Sequence, residues 1–222
     1  MFTGIITAIG SLSSQERIGR DLRLCVNSGK LALEDLRLGD SIATNGVCLT
    51  VVSLPGDGFV ADVSMETLAL STLGSLKPGA PLNLEKALTL NTPLGGHLVS
   101  GHVDGIGEVL SRRNEGRCIR FTIAAPTALA RYIAHKGSIC VDGASLTVNA
   151  VDGHRFELNI VPHTLRETIM SQYREGTRVN LEVDLIARYL ERLLLRDQAA
   201  ITAGGGLTLE TLARHGFLHD PR

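Results

Sequence analysis

Two phrases of this chain nearly coincide: "GVCLTVV" at residues 46–52 and "GASLTVN" at residues 143–149. Each follows a turn dipeptide, Asn45-Gly46 in one and Asp142-Gly143 in the other. One carries Cys48 where the other carries Ser145. Near neutral pH a thiol is a better nucleophile and proton relay than a hydroxyl, so the exchange could confine chemistry to one copy. The bland alternative is two small side chains of similar volume behind a turn. A second candidate is His102, within "SGHVDG", since an imidazole is the side chain most often used for proton transfer. His97 lies five residues earlier. The pair raises a metal site as an alternative, but no third ligand stands in view.

The phrases belong to a longer repetition. Ser41 and Ser138 stand 97 residues apart, as do Gly4 and Gly101, Gly10 and Gly107, and Phe59 and Phe156. Leu49-Thr50-Val51 recurs as Leu146-Thr147-Val148, Thr67-Leu68 as Thr164-Leu165, and Asn83-Leu84-Glu85 as Asn180-Leu181-Glu182. The offset never slips, so loops match in length and a whole domain is duplicated. The halves are placed at 1–97, with "TLNTPLGGH" (89–97) as the linker, and at 98–187; residues 188–222 have no partner.

The elements that must position these residues are short. "LRLCV", "SIATN", "LTVVSL" and "GFVADVS" alternate or are β-branched, as do "IRFTIA", "SICVD", "SLTVNAV", "FELNIV" and "RVNLEV". Short strands with regular turn signals predict a sandwich or small barrel in each half. "LEDLR" and "PTALARYIA" are candidate short helices, and "SMETLALSTLG" and "PHTLRETIMSQY" are each expected as a helix following a strand. The tail changes period: Ile186, Tyr189, Leu190, Leu193 and Leu194 form an apolar helical stripe. A second short helix is expected at "LTLETLARHG" after the "TAGGG" break. Two complete barrels leave the stripe without a core to cover, which favours self-association.

Of the 222 residues, 44% are hydrophobic and 20% charged, with a net charge of −1. That balance argues against an electrostatic grip on nucleic acid or an anionic membrane. No apolar run approaches the roughly 20 residues of a membrane helix, and "MFTGIITAIG" lacks the layout of a secretory signal. The four cysteines, Cys25, Cys48, Cys118 and Cys140, form no CxxC and are expected as free thiols in a reducing cytoplasm.

With the repeat in view, "MFTGI", "NGVCLTV", "DVSMETL", "GGHLVSGHVDG", "DGASLTV" and "VPHTL" resemble the alpha-type riboflavin synthases, from Met1 to about Tyr189. The resemblance implies two tandem six-stranded Greek-key β-barrels plus a C-terminal helix that assembles a homotrimer. It implies dismutation of 6,7-dimethyl-8-ribityllumazine, without metal or organic cofactor: one molecule donates a four-carbon unit to a second, giving riboflavin and 5-amino-6-(ribitylamino)uracil. The reacting pair would form between the N-terminal barrel of one subunit and the C-terminal barrel of its neighbour. A lumazine synthase capsid around the protein is left open.

By motif position the resemblance implies Cys48, His102, Ser41, Asp184 and Phe2 as catalytic candidates. Ser41 would hold a water or ring oxygen, Asp184 would assist proton transfer, and Phe2 would serve as a flap over the neighbour's ligand. The implied substrate contacts, largely through the backbone, are grouped by barrel. In the first they are Gly4, Ile5, Ile6, Cys48, Leu49, Thr50, Asp62, Val63, Ser64, Met65, Glu66 and Thr67. In the second they are Gly101, His102, Val103, Ser145, Leu146, Thr147, Val161, Pro162, His163, Thr164, Leu165 and Arg166, with Lys136 reaching between chains. Asn159 replaces Asp62 in the second half, a change suited to tuning ribityl binding. The rival from another class is a non-catalytic lumazine- or flavin-binding antenna protein. Those relatives lose the "SGH" triplet, which Ser100-Gly101-His102 retains here.

Overall fold

A computed structural model describes residues 1–195. The first barrel comprises β1 (Ala8–Ile18), β2 (Asp21–Asn27), β3 (Ser41–Thr44), β4 (Val47–Ser53), β5 (Gly58–Val63) and β6 (Pro81–Lys86). It closes in the order β1-β2-β5-β4-β3-β6 with every pairing antiparallel. The second comprises β7 (Gly105–Glu115), β8 (Cys118–Ala124), β9 (Ser138–Val141), β10 (Ala144–Asp152), β11 (Arg155–Ile160) and β12 (Arg178–Val183), closed with the same connectivity. Register shifts fall between Leu12 and Ser14 and between Val51 and Ser53. They recur at Val109/Ser111 and Val148/Ala150. Such bulges bend a strand, which lets a six-stranded sheet curl shut.

Each barrel fills its own interior. Leu24, Phe59, Leu82 and Leu84 belong to one core, and Phe121, Phe156, Leu158 and Leu181 to the other. The alternation in β2, where Leu22, Leu24 and Val26 are buried, is the period-two pattern that sends every second side chain inward.

The expected helices over "SMETLALSTLG" and "PHTLRETIMSQY" each break in two. The first gives α1 (Met65–Leu70) and a 3₁₀ turn at Leu73–Ser75; the second gives α2 (Pro162–Glu167) and a 3₁₀ turn at Ile169–Gln172. Tertiary hydrogen bonds cause the break. The Thr72 amide donates to Asn180 Oδ1 at 2.7 Å and the Ile169 amide to Asn83 Oδ1 at 2.8 Å, so the other barrel captures donors a continuing helix would use. "LEDLR" forms a turn rather than a helix, and Thr127–Tyr132 is 3₁₀. α3 (Leu185–Leu194) carries the expected stripe, with Ile186, Tyr189, Leu190, Leu193 and Leu194 exposed. The expected helix at "LTLETLARHG" lies outside the described residues.

Both barrels lie in one compact unit, Met1–Arg188. Their two hairpin turns meet back to back. Asn45 and Gly46, like Asp142 and Gly143, all have positive φ, as a two-residue type I′ turn requires. A Cβ on Gly46 would stand 2.7 Å from the Gly143 amide nitrogen, so the contact admits only backbone. Around it, Asn83 Nδ2 donates to the Asp142 carbonyl and Asn180 Nδ2 to the Asn45 carbonyl, each at 2.8 Å. Both asparagines are buried.

One difference breaks this symmetry. Asp142 stands where the first barrel has Asn45, and its carboxylate accepts from the Asn180 amide at 2.8 Å and from the Tyr173 hydroxyl at 2.5 Å. Burial pushes the Asp142 pKa up to about 7, against the pull of those two donors.

Asn180→Ala leaves the Thr72 amide and the Asn45 carbonyl buried without partners, and should cost about 2–3 kcal/mol in urea unfolding. A second expectation concerns pH. In the unfolded chain Asp142 releases its proton near 3.8; in the folded chain it keeps it to about 7. The folded state therefore gains from this group at low pH and loses that gain as pH rises from about 4 through 7. Asp142→Asn should flatten the fall of the urea midpoint between pH 5 and pH 7.5.

Candidate active site

The segments that lead into the two barrels are exchanged across the seam. Thr3 and Gly4 precede β1, yet the Gly4 carbonyl accepts from the Ser145 amide of the second barrel at 2.8 Å. Gly101 precedes β7, yet its carbonyl accepts from the Cys48 amide of the first at 2.9 Å. A buried glutamate anchors each segment to the barrel it enters. Glu85 on β6 accepts from the Thr3 amide (2.7 Å), the Thr3 hydroxyl (2.6 Å) and the Gly4 amide (3.0 Å). Glu182 on β12 repeats this with the Ser100 amide, the Ser100 hydroxyl and the Gly101 amide at 2.7, 2.6 and 2.9 Å. Burial raises both carboxyl pKa values, opposed by these same hydrogen bonds. Phe2 and Val99 complete the crossing, their backbones pairing as an antiparallel bridge.

The exchange carries His102 onto the first barrel. A cavity of about 230 Å³ is lined by Val47, Cys48, Glu66, Thr67, Leu70, Gly101, His102 and Val103. Gly101 makes this approach possible: its φ is +80°, and an added Cβ would meet Cys48 Cβ at 2.6 Å. The sequence grouping placed Gly4, Ile5 and Ile6 with the first barrel and Gly101, His102 and Val103 with the second. The geometry reverses it for Gly4 and for Gly101, His102 and Val103, because each lead-in segment crosses to the opposite hairpin before its own barrel begins, while Ile5 lines the cavity beside Ser41 on the first barrel.

The matching place on the second barrel has different chemistry. Ser145 occupies the Cys48 position, and its hydroxyl lies 2.7 Å from His97 Nδ1. Burial lowers the His97 pKa, and the nearby Asp184 carboxylate partly opposes this. The sequence offers His97 only as half of a metal pair, and its contact with Ser145, 48 residues away, leaves no local signal. Glu85 and Glu182 were also missed, although their recurrence at the common offset, each inside an apolar strand, was a visible signal.

The remaining candidates divide. Ser41 sits on β3 opposite Thr50 and lines a cavity of about 690 Å³ with Glu85 and Lys86, apart from Cys48. Asp184 caps the start of α3, accepting from the Ile186 amide at 3.0 Å. Phe2, expected as a flap, is fully buried between the barrels with Ala43, Val99 and Cys140; its ring supports Gly101 from beneath. Asp62 is taken up by Arg23 in a bidentate ion pair (2.7 and 2.8 Å), which lowers its pKa. Leu49 and Val63 point into the barrel core and can offer a ligand only backbone. Ser64 caps α1 through the Thr67 amide, with Met65 exposed beside it. On the second barrel Thr147, Val161, His163 and Arg166 are exposed, while Leu146, Pro162, Thr164 and Leu165 are half-buried. Lys136 is exposed at a left-handed turn.

Comparison with known proteins agrees with this duplicated architecture. A family model described as the lumazine binding domain matches twice, at residues 3–87 and 100–184. The riboflavin synthase of Photobacterium phosphoreum is 49% identical over 98% of this chain and 100% of its own length. That of Mycobacterium tuberculosis (strain ATCC 25618 / H37Rv) is 46% identical over 87% of this chain and 98% of its own. Among solved structures, LumP complexed with riboflavin superposes with a TM-score of 0.76 at 25% identity, covering 82% of this chain and 99% of LumP. LumP complexed with 6,7-dimethyl-8-(1'-D-ribityl) lumazine gives 0.74 at 23%, over the same shares of the two chains, a likeness of fold. Near-full-length identity to the curated enzymes, together with the lumazine binding domain found twice, shows that the chain belongs to the riboflavin synthase family.

Proposed function

We propose that this chain is a riboflavin synthase, which dismutates two molecules of 6,7-dimethyl-8-ribityllumazine. The carbons one ring loses are those the other gains, so the products are riboflavin and 5-amino-6-(ribitylamino)uracil and no co-substrate is needed. The observation that carries this reading is the pairing of similar but chemically unequal sites: Cys48 with His102 on one barrel, Ser145 with His97 on the other. A reaction between two copies of one substrate needs two like pockets with different tasks.

Within the first site the exposed His102 imidazole makes no side-chain hydrogen bond among the described residues and is free to move a proton at the lumazine 7-methyl group. Cys48 supplies a thiol for nucleophilic attack or relay. On the second barrel His97 orients the Ser145 hydroxyl toward the other ring. A cavity of about 230 Å³ holds one ring system. The second ring therefore comes from outside it, which fits a site closed by the C-terminal barrel of another subunit. Holding the rings face to face lowers the barrier by several kcal/mol through proximity. The exposed stripe of α3 supplies apolar surface for a homotrimer. Four free thiols suit a cytoplasmic protein. The antenna reading draws on the likeness to LumP, and the intact Ser100-Gly101-His102 triplet speaks against it.

Purified protein mixed with the lumazine alone should form riboflavin in a one-to-two ratio to lumazine consumed, followed by absorbance and chromatography. Tight binding without turnover would instead assign the antenna role. His102→Gln should lower kcat on the order of 100-fold, and Cys48→Ser should also lower it. Gly101→Ala places a Cβ against Cys48 in a left-handed conformation; it should cost about 1–3 kcal/mol of stability and most of the turnover. Wild-type behaviour of that variant would refute the close approach.

A further inference from the structure

We infer that Arg188 is a positioning residue for His102, holding the histidine's backbone from the first turn of α3. This rests on the reading above, in which His102 serves the reaction.

The Arg188 guanidinium donates through Nη2 to the His102 carbonyl at 3.1 Å. It also pairs with Asp104 at 2.5 Å. Asp104 is itself fixed: its carboxylate accepts from the Val183 amide and its own amide donates to the Leu181 carbonyl, both at 2.8 Å. A chain of contacts thus runs from the end of β12 through Asp104 and Arg188 to the residue that bears the imidazole. Arg188 and Asp104 are largely sheltered, with side chains 32% and 16% exposed, so the pair is less screened than a surface ion pair.

The segment needs such a hold. Gly101 is left-handed and the His102 side chain is exposed without a hydrogen-bond partner among the described residues. Glu182 fixes the segment upstream, at Ser100 and Gly101. Among the described residues, only Arg188 reaches the carbonyl of His102 itself. Arg188 also supports that upstream anchor, since its charge favours the ionised form of Glu182 against burial.

The internal repeat provides the control. The position matching His102 is Ile5, that matching Asp104 is Thr7, and that matching Arg188 is Asn91. The Thr7 amide repeats the strand contact, donating to the Leu84 carbonyl at 3.0 Å, but no ion pair forms at Thr7. Glu85 and Glu182 are common to both copies; among the described residues the arginine clamp exists only over the copy that carries the histidine. Among the described residues the guanidinium Nε is buried without a partner, the kind of unmet donor that persists where position matters more than stability.

The test is a double-mutant cycle in the full-length protein, read by steady-state turnover of 6,7-dimethyl-8-ribityllumazine. Arg188→Ala should lower kcat about tenfold with KM, melting midpoint and oligomeric state near wild type, as a small misplacement of a reacting group does. In the His102→Gln background the same substitution should cost less than twofold, because the group it positions is gone. Equal losses in both backgrounds, a fall in kcat that tracks loss of the oligomer, or unchanged kcat would each overturn the proposal. If Arg188→Ala does not fold, Arg188→Met replaces it: methionine keeps most of the apolar stem but has no donor for either the Asp104 carboxylate or the His102 carbonyl, both of which Arg188 reaches through Nη2. It should lose about tenfold in kcat, and wild-type turnover would overturn the proposal. Wild-type protein that does not turn over lumazine, or a fully active His102→Gln, would refute the functional reading itself.

Discussion

A buried carboxylate on the last strand of each barrel governs the geometry of everything at the seam. Glu85 and Glu182 each gather two backbone amides and a hydroxyl from the segment that enters their barrel. A charge in that position is tolerable only when its lone pairs are fully engaged. The segment is therefore forced to stay close, and its next carbonyl is presented to the hairpin of the opposite barrel. Cys48 meets Gly101, and Ser145 meets Gly4, as a consequence of where two glutamates must find their donors.

Symmetry and its violation have separate physical origins here. The elements that hold the barrels together are duplicated: the glutamates, the crossing asparagines and the facing type I′ turns. The elements that would do chemistry are not. Cys48 faces the role Ser145 has opposite it, His102 replaces Ile5, and the ion pair of Arg188 with Asp104 has no twin. Asp142 with Tyr173 lies between these classes, since it completes a structural contact but makes one half titratable.

Much of this was legible in the sequence. An offset of 97 residues that never slips required two copies of one fold, and the period-two runs required strands. The resemblance of "NGVCLTV" and "SGHVDG" to one enzyme family pointed to Cys48 and His102. What could not be read was which copy each segment serves. Chain order assigns Gly4 to the first barrel, but hydrogen bonds at the seam assign it to Ser145. The helix breaks at Ser71 and Thr168 were hidden for the same reason, because the partners that interrupt them, Asn180 and Asn83, are about a hundred residues away in chain order. Phe2 was misjudged because an aromatic near a chain start suggests a flap, whereas the seam between two barrels needed a large apolar plug.

The exchange of lead-in segments also bears on why two copies share one polypeptide. If identical single barrels met in this way, each would lend its segment to the other, and a two-fold axis would make both sites the same. No mutation in such a dimer could alter one site without altering its mirror image. Joining the copies covalently keeps the reciprocal loan but removes the identity. A histidine can then be added on one side while isoleucine remains on the other, and a thiol can appear opposite a hydroxyl. The linker between the barrels is thus what permits donor and acceptor to become different places.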